Sequence, residues 1–467
     1  MPTSAESDRL LWAPRAWLPE GWHEDVLLRI DEEGNWSEVR ARVAPPPQAR
    51  RIDGALLPGL VDAHSHAFQR AFAGLAERRQ DAADTFWSWR DRMYQAALRI
   101  TPQQLRAVAA MLYLELLHGG YTQVCEFHYL HRDPSGRPYP DLLEMGLALC
   151  DAAGQAGIGL TLMPTLYERA GFGQPTLRAD QRRFACDAAS AWEMARAIGA
   201  HRHPLLRAGL AVHSLRAAST ESIVALARAA DGFDGPIHVH VSEQTAEVDE
   251  CVAATGKRPI AWLAEQGLLD PRWQLVHATH AAPSEIDAAA AAGAGIVLCP
   301  STEANLGDGV PDLPHMLANN VPITLGSDSQ VNRDWREELR WLDYAQRLLR
   351  RERNSSAAPQ LAQPSTAERL WSRVQAGSGR SAGLGAWGLC TGARADALVL
   401  DSRASSLLGI APAQQLDALV FSSPAPAWRD VLVAGRWVLR EGAHPRAEEI
   451  AHRFDDAMRE LWWDTTS

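Results

Sequence analysis

The sequence predicts an α/β fold: a (β/α)8 TIM-like barrel carrying a small β-sandwich domain built from both chain ends. Three observations predict it. Eight short apolar runs, at 58–64, 121–127, 158–164, 206–213, 236–241, 273–277, 295–299 and 322–328, alternate with stretches of helical period. Strand texture returns at both ends of the chain. Histidines and carboxylates collect where the apolar runs end, and barrel enzymes build their active sites on that face.

Taken in order, residues 25–30 and 37–43 flank Asp31-Glu32-Glu33-Gly34-Asn35, a hairpin signal. Ala44-Pro45-Pro46-Pro47 then ends the strand pattern, because proline has no N–H for a ladder. Helical stretches at 102–118, 141–156, 180–198, 220–230 and 284–292 fill gaps between the apolar runs. Residues 347–363, with Arg350, Arg351 and Arg353 before Ser355-Ser356, read as the most loop-like stretch and a candidate mobile segment. Residues 396–400 and 430–440, the latter containing the turn Ala434-Gly435-Arg436, are strands again, and 447–463 is a helical tail. The expected division is 1–57 and 381–445 for the two parts of the β-sandwich, 58–380 for the barrel, and 446–467 for the tail.

Charge and cysteine usage bound the partners. With 46 Lys+Arg against 57 Asp+Glu the net charge is −11, which disfavours nucleic acid as a partner. No run of ~18 apolar residues is present, so no membrane span is expected. Residues 1–20 lack the basic and apolar regions of a signal peptide. Cys125, Cys150, Cys186, Cys251, Cys299 and Cys390 form no CxxC pair and read as reduced thiols of a cytoplasmic protein.

The chemistry sits at the ends of the runs. His64 and His66 are two apart on one strand, so their side chains share a face and can grip one ion. The second run ends near Glu126, His128 and Tyr129, and the fourth at His213, with Arg216 close behind. The fifth carries His238 and His240, then Glu243; the sixth ends in His277 and the eighth in Asp328. An isolated His-x-His pair is as readily a packed polar pair, but His240, His277 and Asp328 at matching strand ends favour a metal. Catalytic zinc takes imidazole nitrogen and carboxylate oxygen and keeps one position open for water. His64, His66, His240 and Asp328 would supply such a site, with His238 as a deeper supporting group.

Leu57-Pro58-Gly59-Leu60-Val61-Asp62-Ala63-His64-Ser65-His66 resembles the first-strand signature of the amidohydrolase superfamily. His240, His277 and Gly326-Ser327-Asp328 fall where that superfamily has its later metal-site residues. Six further segments carry a narrower resemblance: His66-Ala67-Phe68-Gln69-Arg70, Phe86-Trp87-Ser88-Trp89-Arg90, Glu126-Phe127-His128-Tyr129, His213-Ser214-Leu215-Arg216, His240-Val241-Ser242-Glu243-Gln244, and the stretch from Ser301 to Gly309. Together they resemble the formimidoylglutamate deiminases, which hydrolyse N-formimino-L-glutamate to N-formyl-L-glutamate and ammonia in histidine breakdown.

That resemblance implies one divalent metal per chain, with zinc the first expectation, and a homodimer. It implies that Gln69, Arg90, Tyr129, His213 and Arg216 meet a small dicarboxylate amidine. Arginine suits that task because its planar fork pairs two N–H groups with a carboxylate. The expected division of labour gives Asp328 the proton of an ion-acidified water, Glu243 the protonation of the imino nitrogen, and His277 the polarisation of the substrate.

The lysine count bears on the metal number. Forty-five of the 46 basic residues are arginine, and the one lysine, Lys257, lies off the barrel runs. Two-metal members of the superfamily commonly bridge their ions with a carboxylated lysine on a central strand, so a one-metal site is expected. A heterocycle deaminase acting on guanine-like or triazine-like rings would share every metal residue but need few cations. An inactive barrel scaffold is the third reading, and it would be expected to have lost metal ligands.

Overall fold

The computed structural model describes residues 9–77 and 86–463. Its strands are β1 Leu10–Leu18, β2 Gly21–Ile30, β3 Trp36–Arg40, β4 Arg50–Arg51 and β5 Leu56–Pro58, then β6 Leu60–Ser65, β7 Tyr121–His128, β8 Gly159–Leu166, β9 Leu206–Ala208, β10 Leu210–Val212, β11 Ile237–Val241, β12 Trp273–His277, β13 Gly295–Leu298 and β14 Ile323–Leu325, and finally β15 Ala397–Leu400, β16 Trp428–Val433 and β17 Arg436–Leu439.

Strands β6 to β14 form a parallel sheet in the order β10-β11-β12-β13-β14-β6-β7-β8-β9, and β10 also pairs with β8, which closes the barrel. β9 and β10 are two halves of one stave, so the barrel has the eight staves the apolar runs predict. The stave breaks at Gly209, where an added Cβ would lie 2.7 Å from Met163. Every residue of β7 and β8 is buried, as expected for strands covered on both faces.

Helices surround the barrel. The one at Pro102–His118 starts as its sequence requires: Thr101 Oγ1 accepts from the Gln104 N–H at 3.2 Å, Gln104 Oε1 accepts from the Thr101 N–H at 3.0 Å, and proline occupies the first turn. One helical and one loop expectation need correction. The stretch 180–198 is a 3-10 turn, Ala179–Phe184, followed by a separate helix, Ala188–Ala200, because Cys186 leaves to bridge Tyr167 and Asp187 caps the second helix. The first residues of 347–363 belong to the helix Trp335–Arg350. The rest is tied down by the Ser356 N–H on Asp343 at 3.1 Å and by Arg369 on the Ser356 carbonyl at 2.7 Å.

The remaining strands form a separate sheet, ordered β17-β16-β15-β5-β1-β2-β3, with β4 beside β1. The chain ends meet where β5 and β15 pair antiparallel, Leu57 opposite Leu398. This sheet has its own core, including Leu11, Val26, Trp36, Leu56, Val399 and Leu432. Two helices from the C-terminal part pack against the barrel and its outer helices. The helix Thr366–Ser381 closes the floor, where the Ser381 carbonyl takes His238 Nε2 at 2.9 Å and the Ala382 carbonyl takes Thr161 Oγ1 at 2.8 Å. The helix Ala447–Trp462 packs on Pro102–His118, and Trp462 Nε1 donates to the Ala71 carbonyl at 2.8 Å.

Candidate active site

The strand ends bring four imidazoles and one carboxylate together. His64 Nε2 lies 3.0 Å from His240 Nε2 and 3.3 Å from Asp328 Oδ1. His66 Nε2 lies 3.4 Å from Asp328 Oδ1, and His277 Nε2 lies 3.7 Å from Asp328 Oδ2. The ring orientations follow from what the other nitrogens do. His66 Nδ1 donates to the Phe127 carbonyl and His240 Nδ1 to the His213 carbonyl, both at 2.9 Å, so each turns an Nε2 lone pair to the centre. His64 Nδ1 is buried without a hydrogen-bond partner. Either tautomer of His64 therefore leaves a buried nitrogen unsatisfied. Converging lone pairs beside a carboxylate suit a divalent cation, so the donor set fits the metal the sequence implies.

The electrostatics agree. Burial pushes His64 down to about 3 and lowers His66 and His240, which keeps all three in the neutral, ligating form. Burial would raise the Asp328 carboxyl, but His64, His277 and His66 hold it below the usual carboxylate range. Around it the backbone is strained. Ser242, His277 and Asp328 have φ of 54°, 72° and 48°, a region that costs a non-glycine residue about 1 kcal/mol or more. The Asp328 N–H on the His64 carbonyl at 2.9 Å and the Ala278 N–H on the Val241 carbonyl at 3.1 Å hold two of these bends. Glycine precedes at 326 because a Cβ there would lie 2.6 Å from that of His64. Asp62 anchors the next residue, accepting from the Ser327 N–H at 2.8 Å and hydroxyl at 2.5 Å.

Beside the cluster, His277 sits among three acids. Its Nε2 is 3.9 Å from Glu243 Oε1 and its Nδ1 is 3.4 Å from Glu303 Oε1. Burial lowers its basicity, but Glu243, Glu303 and Asp328 push it up to about 10. Burial raises the Glu243 carboxyl against the opposing pull of His277 and Arg216. A carboxyl raised by its surroundings holds a proton more readily than an exposed one.

A cavity, partly open to solvent, leads to this cluster. Its wall includes Gln69, Arg90, Tyr129, His213 and Arg216, so the five residues expected at the substrate converge with Glu243, His277 and Asp328. Gln69 Nε2 donates to the Tyr129 hydroxyl at 3.1 Å. Arg216 Nη2 is 3.8 Å from Glu243 and 4.0 Å from Glu247, while its Nε is buried without a hydrogen-bond partner. Arg169 holds that loop by donating to the Arg216 and Leu215 carbonyls at 3.0 and 2.8 Å. Of the segment 86–90, the described side chains are Trp89 and Arg90, and both line the cavity; those of Phe86, Trp87 and Ser88 lie outside the described residues.

Other sequence candidates fall elsewhere. His238 faces the barrel floor and touches none of the central histidine nitrogens; its partner is the Ser381 carbonyl. Glu126 braces the first loop, accepting from the Ala67 N–H at 2.6 Å and the Ser65 hydroxyl at 3.0 Å. The His128 ring packs on His131. Lys257 Nζ lies 3.5 Å from Glu265 on the outer helices. The sequence reading gave no role to Tyr94, Tyr167, Gln181, Glu247 and Glu303; Tyr167 directly follows β8, past the predicted end of that run at 164, and the others have no strand-end position to mark them.

A buried brace on the rim gives a stability expectation. Glu338 accepts from the Ser301 N–H at 3.0 Å, the Ser301 hydroxyl at 2.6 Å and Asn332 Nδ2 at 2.7 Å, joining the loops after β13 and β14. Burial raises its carboxyl to about 8. The folded chain then keeps a proton that the unfolded chain loses above about pH 4.5. This stability is full below that pH and declines as pH rises toward about 8. Glu338→Gln is expected to flatten the decline, so Tm of the variant relative to the parent rises from pH 5 to pH 8. An unchanged difference in melting curves would refute it.

Residues 55–438 match the amidohydrolase family, and the chain belongs to it. Within that class, formimidoylglutamate deiminase of Pseudomonas aeruginosa is 44% identical over 455 residues, covering 97% of this chain and 99% of that protein. The crystal structure of an amidohydrolase from Brucella melitensis superposes with a TM-score of 0.90 at 40% identity, covering 97% of this chain and 99% of that one. An adenosine deaminase from Xanthomonas campestris, solved with bound zinc, shares the fold at 21% identity with a TM-score of 0.77, covering 97% of this chain and 98% of that one. The chain is thus a metal-dependent hydrolase of the amidohydrolase class. Among the described residues no helix is long and apolar enough to cross a membrane.

Proposed function

We propose that this chain hydrolyses N-formimino-L-glutamate to N-formyl-L-glutamate and ammonia, a step in histidine breakdown, using one divalent metal ion, zinc in the first instance. The observation that carries the reading is one cavity joining the His64–His66–His240–Asp328 cluster to Glu243 and to two arginines. The extensive identity to the Pseudomonas deiminase supports the same substrate. Six free cysteines support a reducing, cytoplasmic setting.

His64, His66, His240 and Asp328 would hold the ion, which when bound would supply a water acidified toward neutral pH. Asp328 would accept a proton from the attacking water at the carboxylate oxygen nearer His277. His277 would donate a hydrogen bond from Nε2 to the oxygen that forms on the formimino carbon. Glu243 would protonate the imino nitrogen and then take the hydroxyl proton as the C–N bond breaks, while the proton held by Asp328 passes to the departing amino group, so that ammonia leaves and both carboxyls are restored. Arg216 binds one substrate carboxylate and Arg90 the other, aided by Gln69, Tyr129 and His213. A purine or triazine ring offers only neutral acceptors, whereas two guanidinium groups match anionic carboxylates.

The test is ammonia release by zinc-loaded protein on N-formimino-L-glutamate, guanine and an s-triazine. Turnover of the first alone is expected. Turnover of a ring compound in its place would overturn the roles of Arg90 and Arg216.

A further inference from the structure

Asp308 ties together the loops that carry Glu243 and His277. It follows the short helix Pro300–Leu306, which ends at Gly307 with φ of 72°. Its side chain reaches the loop after β11, where Oδ1 accepts from Gln244 Nε2, and Gln244 directly follows Glu243. Its main-chain carbonyl reaches the loop after β12, accepting from His280 Nε2 at 2.9 Å. The His280 N–H returns to the first of these loops, donating to the Ser242 carbonyl at 2.9 Å. The Asp308 N–H donates to the Glu303 carbonyl at 2.9 Å, and the Glu303 side chain meets His277. Glycine follows at 309, where φ is 138° and a Cβ would lie 3.3 Å from His280 Cε1.

For a mechanical tie alone, an asparagine would serve as well, since its amide oxygen also accepts. The other oxygen argues for the acid. Asp308 is buried, and among the described residues its Oδ2 is a buried atom with no hydrogen-bond partner. Three titratable side chains act on it: Glu243 from the loop after β11, His277 from the end of β12, and Glu303 from its own helix. Burial, Glu243 and Glu303 raise the Asp308 carboxyl to about 8, against the pull of His277 and Gln244. Two interacting carboxyls lose their protons in separate steps, and the second proton is held more tightly than either would be alone.

We propose that Asp308 is a positioning residue for the acid Glu243, acting through the hydrogen bonds that set the Glu243 loop against the His277 loop and through its own carboxyl. Once Asp308 ionises, its charge helps Glu243 keep the proton it must donate. This inference rests on the proton-donor role given to Glu243 above.

The test uses the full-length, zinc-loaded protein and reads kcat and KM for N-formimino-L-glutamate across pH. Asp308→Asn keeps an acceptor for Gln244 but never carries charge. Near pH 6 its kcat and KM are expected to stay within about threefold of the parent. Its alkaline fall in kcat is expected about one pH unit lower, because Glu243 without an ionised neighbour releases its proton sooner. Gln244→Leu, at a half-buried position, cuts the tie and leaves Asp308 in place. It is expected to lower kcat about tenfold, with KM within about threefold and metal content unchanged. An unmoved pH profile in Asp308→Asn, or an undiminished kcat in Gln244→Leu, would overturn the assignment while leaving the reaction intact. Absence of ammonia with the unaltered, metal-loaded protein would overturn the reaction itself and this role with it.

Discussion

Glu243→Gln is expected to lower kcat about 10³-fold, with KM within about threefold and an unchanged melting temperature. General acid–base groups are worth about 10²–10⁴ in rate, and the amide keeps the shape while losing the transferable proton. The position is unusual for a carboxyl. Glu243 is buried, 3.9 Å from His277 and 3.8 Å from Arg216, so it is held by cations while burial favours its neutral form. Metal content should match the parent protein, because none of the expected ligands changes. A variant retaining more than about a tenth of kcat would remove Glu243 from proton transfer.

Asp328→Asn is expected to cost activity at least as heavily, about 10³-fold or more, and to lower metal content as well. Among the described residues Asp328 is the one carboxylate within 3.4 Å of both His64 and His66, and it also lies 3.7 Å from His277. Without its charge the cluster offers neutral imidazoles alone, a poorer host for a divalent cation. Elemental analysis should find one ion per parent chain and substoichiometric metal in the variant. Two ions per chain would contradict the single-site reading, which rests on the absence of a lysine from the barrel strands; full metal with unimpaired turnover in the variant would contradict the role of Asp328.

Much of this was legible because a parallel barrel turns chemistry into position. Apolar runs mark strands buried on both faces, and the residue after each run is at the active rim. His64, His66, His240, His277 and Asp328 were found that way. His238, read as a deeper group because it lies two positions earlier on β11, meets the floor helix at the Ser381 carbonyl. β1 went unread because its burial is nearly continuous rather than alternating. Glu303, Glu247 and Gln181 act through hydrogen bonds to partners between 4 and 87 residues away, and no local pattern records such pairs. The break at 185–187 was hidden by an unbroken helical composition.

The pairing of β5 with β15 has a consequence for the order of assembly. One residue, Gly59, separates β5 from β6, the strand that carries His64 and is followed by His66. On a growing chain, β5 waits for a partner about 340 residues downstream, and β6 waits for β14 to complete the ring. The first two histidines of the cluster to be made are thus among the last of it to be set in register. Ion capture by the full donor set belongs to the finished polypeptide, and a nascent chain stalled before β14 offers only scattered imidazoles.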